Sequence, residues 1–461
     1  MRNGRGGRLG RGHDGGRDGT SRRDGMSGPG GGDRADARGL SRRIFLDGAF
    51  KASLVAGIGA KLSILDLLAQ GSAGTGAAGA ASGGSAKGPR DFDGELIAES
   101  YDIAHRLRDG TLSIPSLTPE GPLHDAIVLG GGVSGLMAAW ELERGGLDDV
   151  LLYEKEDYIG GNARKGHANG TDYTCATWSC VRPKDPFMTR LLQDLEVIDG
   201  FAADGTPRIK PAYLGPGPEF NTLVDGAWYH EMQTYDPGTV GDDVSKMPIP
   251  AKDRKDLIDF YIEMGDWGKR KGKDGRPAFA MPVEEGSRDP EILALDRITM
   301  AEYAKRKGWG PRTIEVADEW STSDIGGSIS EVSAYGFWSF NGLGQGGEDI
   351  TLPGGNAWLA ERLTAKVGRE RIRSGLFAVR VENHGDEVRV TLADPKTGRF
   401  SMRRARCAVI ACPKHITGRM VPEMLAAGRD GFRQYRYGAL LMGAASVKKT
   451  PVLKGAPLAW F

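Results

Sequence analysis

Ala126-Ile127-Val128-Leu129-Gly130-Gly131-Gly132-Val133-Ser134-Gly135 is the stretch on which the fold is decided. Four apolar residues in a row suit a strand buried on both faces, and a glycine-rich turn follows at once. Leu136, Met137, Ala138, Ala139, Trp140, Leu142 and Arg144 continue as good helix, which Gly145-Gly146 ends. Strand, glycine loop and helix, in that order, make a dinucleotide-binding βαβ unit. Gly130 permits the tight turn, Gly132 lets backbone approach a pyrophosphate, and Gly135 lets helix and strand pack closely. The helix start adds N–H groups and partial positive charge, with Gly131 and Ser134 completing the loop.

Outward from this loop, Val150-Leu151-Leu152-Tyr153 reads as the second strand. It ends on Glu154, nineteen positions beyond Gly135, where a ribose-binding acid belongs, and Lys155 adjoins it. In a chain with 70 Gly a lone glycine motif carries little weight. Two strands, a helix and an acid at the right spacing carry much more.

The choice of dinucleotide rests on Asp157-Tyr158-Ile159-Gly160-Gly161-Asn162-Ala163-Arg164. Its glycine pair resembles the GG motif of the flavin amine oxidases, with Asn162 where an arginine is usual. Pro353-Gly354-Gly355-Asn356, leading into Ala357 to Leu363, resembles the P-x-G-G helix start of the same superfamily. Residues 376–381 and 388–392 alternate as strands do, and Ala408 to Pro413 is similar to the strand that returns to the cofactor domain. This resemblance implies FAD, held by Gly130, Gly131, Gly132, Ser134, Gly135, Glu154, Lys155, Gly160, Gly161, Asn162 and Ala163, with Val379 against the adenine. It implies an α/β fold, a Rossmann-like FAD-binding domain of the amine oxidase type with an inserted mixed α+β substrate domain.

The expected organisation is a disordered basic arm and export signal (1–86), a helical lead-in (87–124), the FAD-binding βαβ unit and GG motif (125–184), a substrate domain (185–350) and a return to the FAD domain (351–461). No counterpart of the family's C-terminal FAD segment is recognisable before Phe461, so this last part is expected to be truncated. With 461 residues, 39% hydrophobic and 26% charged, the chain can bury a sizeable core. Lys plus Arg and Asp plus Glu both number 61, which gives no reason to expect nucleic acid as partner. Residues 1–43 depart from that balance, with eleven Arg against five Asp in a glycine-dominated background that has little to bury. Within the leader, Ser41-Arg42-Arg43-Ile44-Phe45-Leu46 resembles the twin-arginine export signal. A moderately apolar stretch and a Gly/Ala/Ser run containing Ala78-Gly79-Ala80 follow it. That order implies passage through the twin-arginine machinery to the periplasm or beyond. Lys61 and Asp66 interrupt the apolar stretch, so no membrane span is expected. The four Cys, at 175, 180, 407 and 412, are expected as buried thiols, Cys175 and Cys180 pairing only if the backbone turns between them. The His residues show no metal-ligand spacing.

The amphipathic stretch Glu99 to Gly110, the leader and Tyr437-Gly438-Ala439-Leu440-Leu441 together resemble bacterial spermidine-dehydrogenase-type proteins. That likeness implies oxidation of an amine, a polyamine such as spermidine, by hydride transfer to flavin, with an unknown electron acceptor. On the stretch Glu315 to Asp349, aromatic faces and carboxylates of the kind that attract ammonium groups cluster, Trp338 and Glu331 among them, and Trp178 is a further candidate wall. Core packing is the plainer reading of each aromatic, and His105 reads as a packed or surface histidine. The lysine that many amine oxidases hold near the flavin has no counterpart in Leu440 to Ala444, so no catalytic residue is named. Two other functions stand beside this one, an FAD-dependent oxidoreductase acting on a non-amine and a non-catalytic FAD-fold protein.

Overall fold

The computed structural model describes residues 100–427 except 184, 216–219, 225–226, 233–237, 281–282 and 345–348, together with 431, 436–438, 442 and 459–460. The twin-arginine-like segment and Ala78 to Ala80 lie outside the described residues, as does Leu440-Leu441.

A six-stranded mixed sheet organises the chain, built from β1 (Leu123–Leu129), β2 (Val150–Tyr153), β3 (Ile372–Arg373), β4 (Phe377–His384), β5 (Glu387–Ala393) and β6 (Phe400–Ile410). Its order is β3-β2-β1-β6-β5-β4. The first four strands are parallel, with Leu129 opposite Tyr153 on one side and Ile410 on the other. β5 and β4 extend the sheet antiparallel. Because side chains alternate across a strand, β1 divides its apolar run between two cores. Ala126 and Val128 face the helices Val133–Arg144 and Ala357–Val367, while Ile127 and Leu129 face the helix Asp102–Arg108, the strands β4 and β5, and Ile416 and Met420 of the helix Lys414–Met420. All four are at most 1% exposed, which is why a sequence buried on both faces reads as an unbroken hydrophobic run. The returning strand is longer than its sequence signal, since β6 begins at Phe400 and pairs with β5 before it reaches β1.

Residues 186–209 join the first of these cores through Leu191, Leu192, Val197, Ile198 and Ile209. A short hairpin, Lys165–Ala168 with Thr171–Thr174, turns on Asn169-Gly170, both at positive φ (51° and 76°), the backbone a two-residue hairpin turn requires. Ser179–Val181 pairs with Asp349–Thr351 across almost the whole intervening helical segment.

That segment has its own core. The helices Ala251–Lys269, Met300–Lys307, Pro311–Trp320 and Ala334–Gly344 surround Phe260, Met264, Trp267, Trp309, Phe337 and Trp338. Thr299 and Glu302 form a reciprocal capping box at the start of Met300–Lys307, and Gly308 ends it in the left-handed conformation. Pro311–Trp320 runs on into a π turn, Ser321–Ile325, closed by Gly326. A three-stranded sheet, Phe220–Val224, Ala227–Met232 and Ala459–Trp460, makes this part of the chain α+β. Among the described residues no helix is long and apolar enough to cross a membrane. All four cysteines are free and none is fully buried: Cys175, Cys180 and Cys412 are half-buried and Cys407 is exposed, contrary to the expectation of buried thiols. Cys407 pairs with Ala126 within the β1–β6 register, and Asp125 O accepts its S–H at 3.5 Å.

Candidate functional site

The carboxyl ends of β1, β2 and β6 converge on the loop Gly130–Gly135. Gly130 leaves β1 at φ +110°, and a Cβ there would lie 2.8 Å from the Ala411 carbonyl oxygen. Gly135 shows why helix and loop can touch, since a Cβ at this position would sit 1.8 Å from Gly130 O. Gly132 differs from both. It is the N-cap of the helix Val133–Arg144, with ordinary φ −72°, and an added Cβ would meet nothing nearer than 3.9 Å. No side chain caps this helix and its first turn holds no acid, while Ser134 is exposed at its start. A helix end with free N–H groups and positive partial charge is thereby open to an anion.

Glu154 is fixed by backbone on both oxygens. Gly131 N–H donates to Oε2 at 2.6 Å and Glu156 N–H to Oε1 at 2.8 Å. Lys155 adjoins Glu154 but is engaged by the protein itself. Its ammonium is bonded to the Glu156 carboxylate and the Ser100 carbonyl, since the neighbouring acid and the lead-in chain reach it first. Ser100 returns two bonds to Glu156, from its N–H at 2.9 Å and its hydroxyl at 2.7 Å. Desolvation works to raise the Glu156 carboxyl, but the hydrogen bonds from Lys155 and Ser100 outweigh it and hold the group below the usual carboxylate range.

The Gly160-Gly161 turn lies against the loop. Gly160 N–H donates to Gly131 O at 2.8 Å, and an added Cβ on Gly161 would stand 3.1 Å from Gly132 Cα. Ala163 N–H closes the turn on Gly160 O and its side chain is buried, whereas Asn162 is exposed. Val379 sits where the β4–β5 register slips between Ala378 and Arg380, so it has no partner in the ladder while its side chain is buried. A bulge of this kind frees backbone groups at a sheet edge. Half-buried Cys412 follows β6. Its surroundings desolvate the thiol, and with the Glu154 charge they push it up to about 12, so it is an inert S–H bonded to Leu129 O. A cavity of about 490 Å³ opens between Tyr158, Ile159, Ala360 and Thr364, on the helix side of the turn, and no glycine of the loop lines it.

These residues fit a dinucleotide. The glycines leave room that a Cβ would fill, the bare helix start suits a pyrophosphate, Glu154 is aligned to accept from hydroxyls, and the Val379 bulge offers backbone groups to a base.

The expected substrate residues do not converge. Trp338 is fully buried in the helical core, against Phe260, Trp267, Tyr303, Trp309 and Phe337, and has no surface to offer a ligand. Glu331 is an exposed turn residue 3.8 Å from the Arg436 guanidinium. Trp178 is 38% exposed in a loop whose neighbours are tied to the helix start at Asn356. Asn356 N–H donates to Thr177 O at 3.0 Å and its amide to Ser179 O at 2.7 Å. Glu319 and Asp324 are solvent-accessible, yet surrounding protein desolvates both and raises them above the usual carboxylate range, Glu315 adding to the effect on Glu319. Sequence reasoning missed the Ser100–Glu156 pair, for which no local signal exists. Asn356 was visible only as part of its motif.

Residues 128–195 match the family model "NAD(P)-binding Rossmann-like domain". Amine oxidase [flavin-containing] A of Sus scrofa is 21% identical over 333 residues, 70% of this chain and 56% of that protein. Tryptophan 2-monooxygenase of Pseudomonas savastanoi is 47% identical over 72 residues, 15% of this chain and 13% of that protein. Among solved structures, cyclohexylamine oxidase from Brevibacterium oxydans IH-35A superposes with TM-score 0.48 and 21% identity, covering 68% of this chain and 63% of that one. The chain spans little more than half the length of the curated amine oxidase A it matches. The Rossmann-like match takes in the glycine loop, Glu154 and the Gly160-Gly161 turn, and over longer stretches the chain is similar at low identity to flavin-containing amine oxidases.

Proposed function

We propose that this protein is an FAD-dependent oxidoreductase that oxidises an amine, with a polyamine such as spermidine as substrate, and that it reaches the periplasm or the exterior through the twin-arginine pathway. The observation that carries the reading is the assembly of Gly130–Gly135, Glu154 and Gly160-Gly161 around an uncapped helix start. FAD, when bound, supplies the two-electron acceptor. The chain's part is to hold it. The helix N-terminus stabilises the pyrophosphate charge, Glu154 accepts from the ribose hydroxyls, and the bulge at Val379 presents backbone to the adenine. Glu319 and Asp324 are accessible carboxylates suited to attract an ammonium group. The substrate and the export route rest on the likeness of the leader and of Glu99 to Gly110 to spermidine-dehydrogenase-type proteins.

The test is the visible spectrum of the purified chain, followed by anaerobic addition of spermidine, putrescine, simple monoamines and amino acids with a dye acceptor. A flavin band bleached by an amine supports the reading. Bleaching by amino acids alone moves the protein to the non-amine class, and a colourless protein that takes up no FAD removes the flavoenzyme reading. Replacing Arg42 and Arg43 by Lys in the full chain is expected to abolish its export, and unchanged export would remove the twin-arginine proposal.

A further inference from the structure

Arg164 follows the Gly160 turn, and its guanidinium has no ion-pair partner among the described residues. It lies over the Tyr158 ring, 4.8 Å from Cζ to the centroid, and its Nε and Nη1 are buried without a hydrogen-bond acceptor among the described residues. Nη2 is the nitrogen left open to an incoming group. The backbone fixes this side chain in place, for Arg164 N–H donates to Asn162 O at 3.0 Å and Arg164 O accepts from Cys175 N–H at 2.9 Å. The same turn is bonded to the dinucleotide loop through Gly160 N–H and Gly131 O.

Arginine stays charged at every accessible pH, and burying Nε and Nη1 of a half-buried guanidinium without acceptors is costly, so the position suits an anion. The described residues offer none. Lys155, the other cation between Glu154 and Arg164, is already matched by Glu156, and Asn162 is neutral and exposed. The anion that the adjoining loop is shaped to receive is a pyrophosphate, and a planar guanidinium suits phosphate oxygens. We infer that Arg164 is a cofactor-positioning residue, pairing with a phosphate of the bound dinucleotide and supplying the positive charge that Asn162 does not. This rests on the FAD reading of the site.

Flavin fluorescence titration of the full chain, as wild type, Arg164→Lys and Arg164→Gln, at low and high salt, provides the test, with melting of the FAD-free protein alongside. The Gln variant is expected to bind FAD about tenfold more weakly and with a flatter salt dependence, the Lys variant to recover part of the loss. The FAD-free Gln variant should melt close to wild type, because the only protein contact its guanidinium makes among the described residues is the stacking on Tyr158. Unchanged FAD affinity in the Gln variant overturns the inference, as does a fall in FAD-free stability that accounts for the weaker binding. A wild type that binds no FAD removes the site reading and this inference together, and is recognisable from the first titration.

Discussion

Three glycines of one loop do three different things, and a single added methyl group separates them. At Gly135 the methyl would meet a carbonyl oxygen at 1.8 Å, a backbone atom that cannot rotate away. Gly135→Ala is therefore expected to destabilise the protein by about 1–3 kcal/mol and to weaken FAD binding with it, read by urea unfolding and flavin titration. At Gly132 the methyl meets only ordinary van der Waals contact, with Gly161 Cα at 3.9 Å and Gly160 O at 4.0 Å. Gly132→Ala should cost only about 0.5–1 kcal/mol, the ordinary difference between Gly and Ala at a helix N-cap, while FAD affinity falls because the methyl stands where the cofactor approaches. Equal stability losses in the two variants would contradict this division. The motif made the three roles legible because each is a local property of a strand, a turn and a helix start. Ser100 and Glu156 were not legible, since they meet across 56 positions and neither belongs to a periodic or turn signal. Arg164 stood within the quoted motif, but only its buried, partnerless nitrogens distinguish it from a surface arginine.

Elements carry the next prediction. The helix Asp102–Arg108 is held on the sheet by Ile103 and Leu107 and by the Ser100–Glu156–Lys155 group at its start. Glu156 has a lower carboxyl pKa folded than unfolded, so its contribution is complete above the unfolded value and is lost as pH falls through the folded one. Protection of the Ile103 to Leu107 amides against hydrogen exchange should accordingly weaken below pH about 4 in the wild type. Glu156→Gln should lower that protection at neutral pH and leave it insensitive to pH across the same window. An unchanged acid profile in the Gln variant would assign the loosening to another carboxylate. The existence of this helix was legible from its amphipathic spacing, β4 and β5 from their alternation, and β1 and β2 from unbroken apolar runs. What sequence could not give was the early start of β6, because Phe400 to Arg406 alternates too weakly to distinguish strand from loop until β5 pairs with it.

At the scale of the whole molecule, two kinds of burial divide the chain. The sheet cores hold the dinucleotide loop, and the helical core, whose buried residues appear in neither of them, is dominated by aromatic rings. Aromatics at helical spacing look alike in sequence whether they line a ligand pocket or fill a core, which is why Trp338 was a reasonable substrate wall before its surroundings were known. Its ring lies 5.1 Å from Phe337, 5.7 Å from Tyr303 and 5.9 Å from Phe260, centroid to centroid. Its indole N–H finds no acceptor among the described residues, so packing rather than hydrogen bonding holds it. Trp338→Ala should then cost about 3–5 kcal/mol, and Trp338→Phe, which loses no hydrogen bond, should cost less. Neither change touches Gly130–Gly135 or Glu154, so FAD affinity measured below the unfolding transition is expected to stay at the wild-type value. Calorimetric melting together with flavin titration checks both halves. A Trp338→Phe variant with wild-type stability but a raised KM for an amine would return the residue to the substrate site, and a fall in stability alone would keep it in the core.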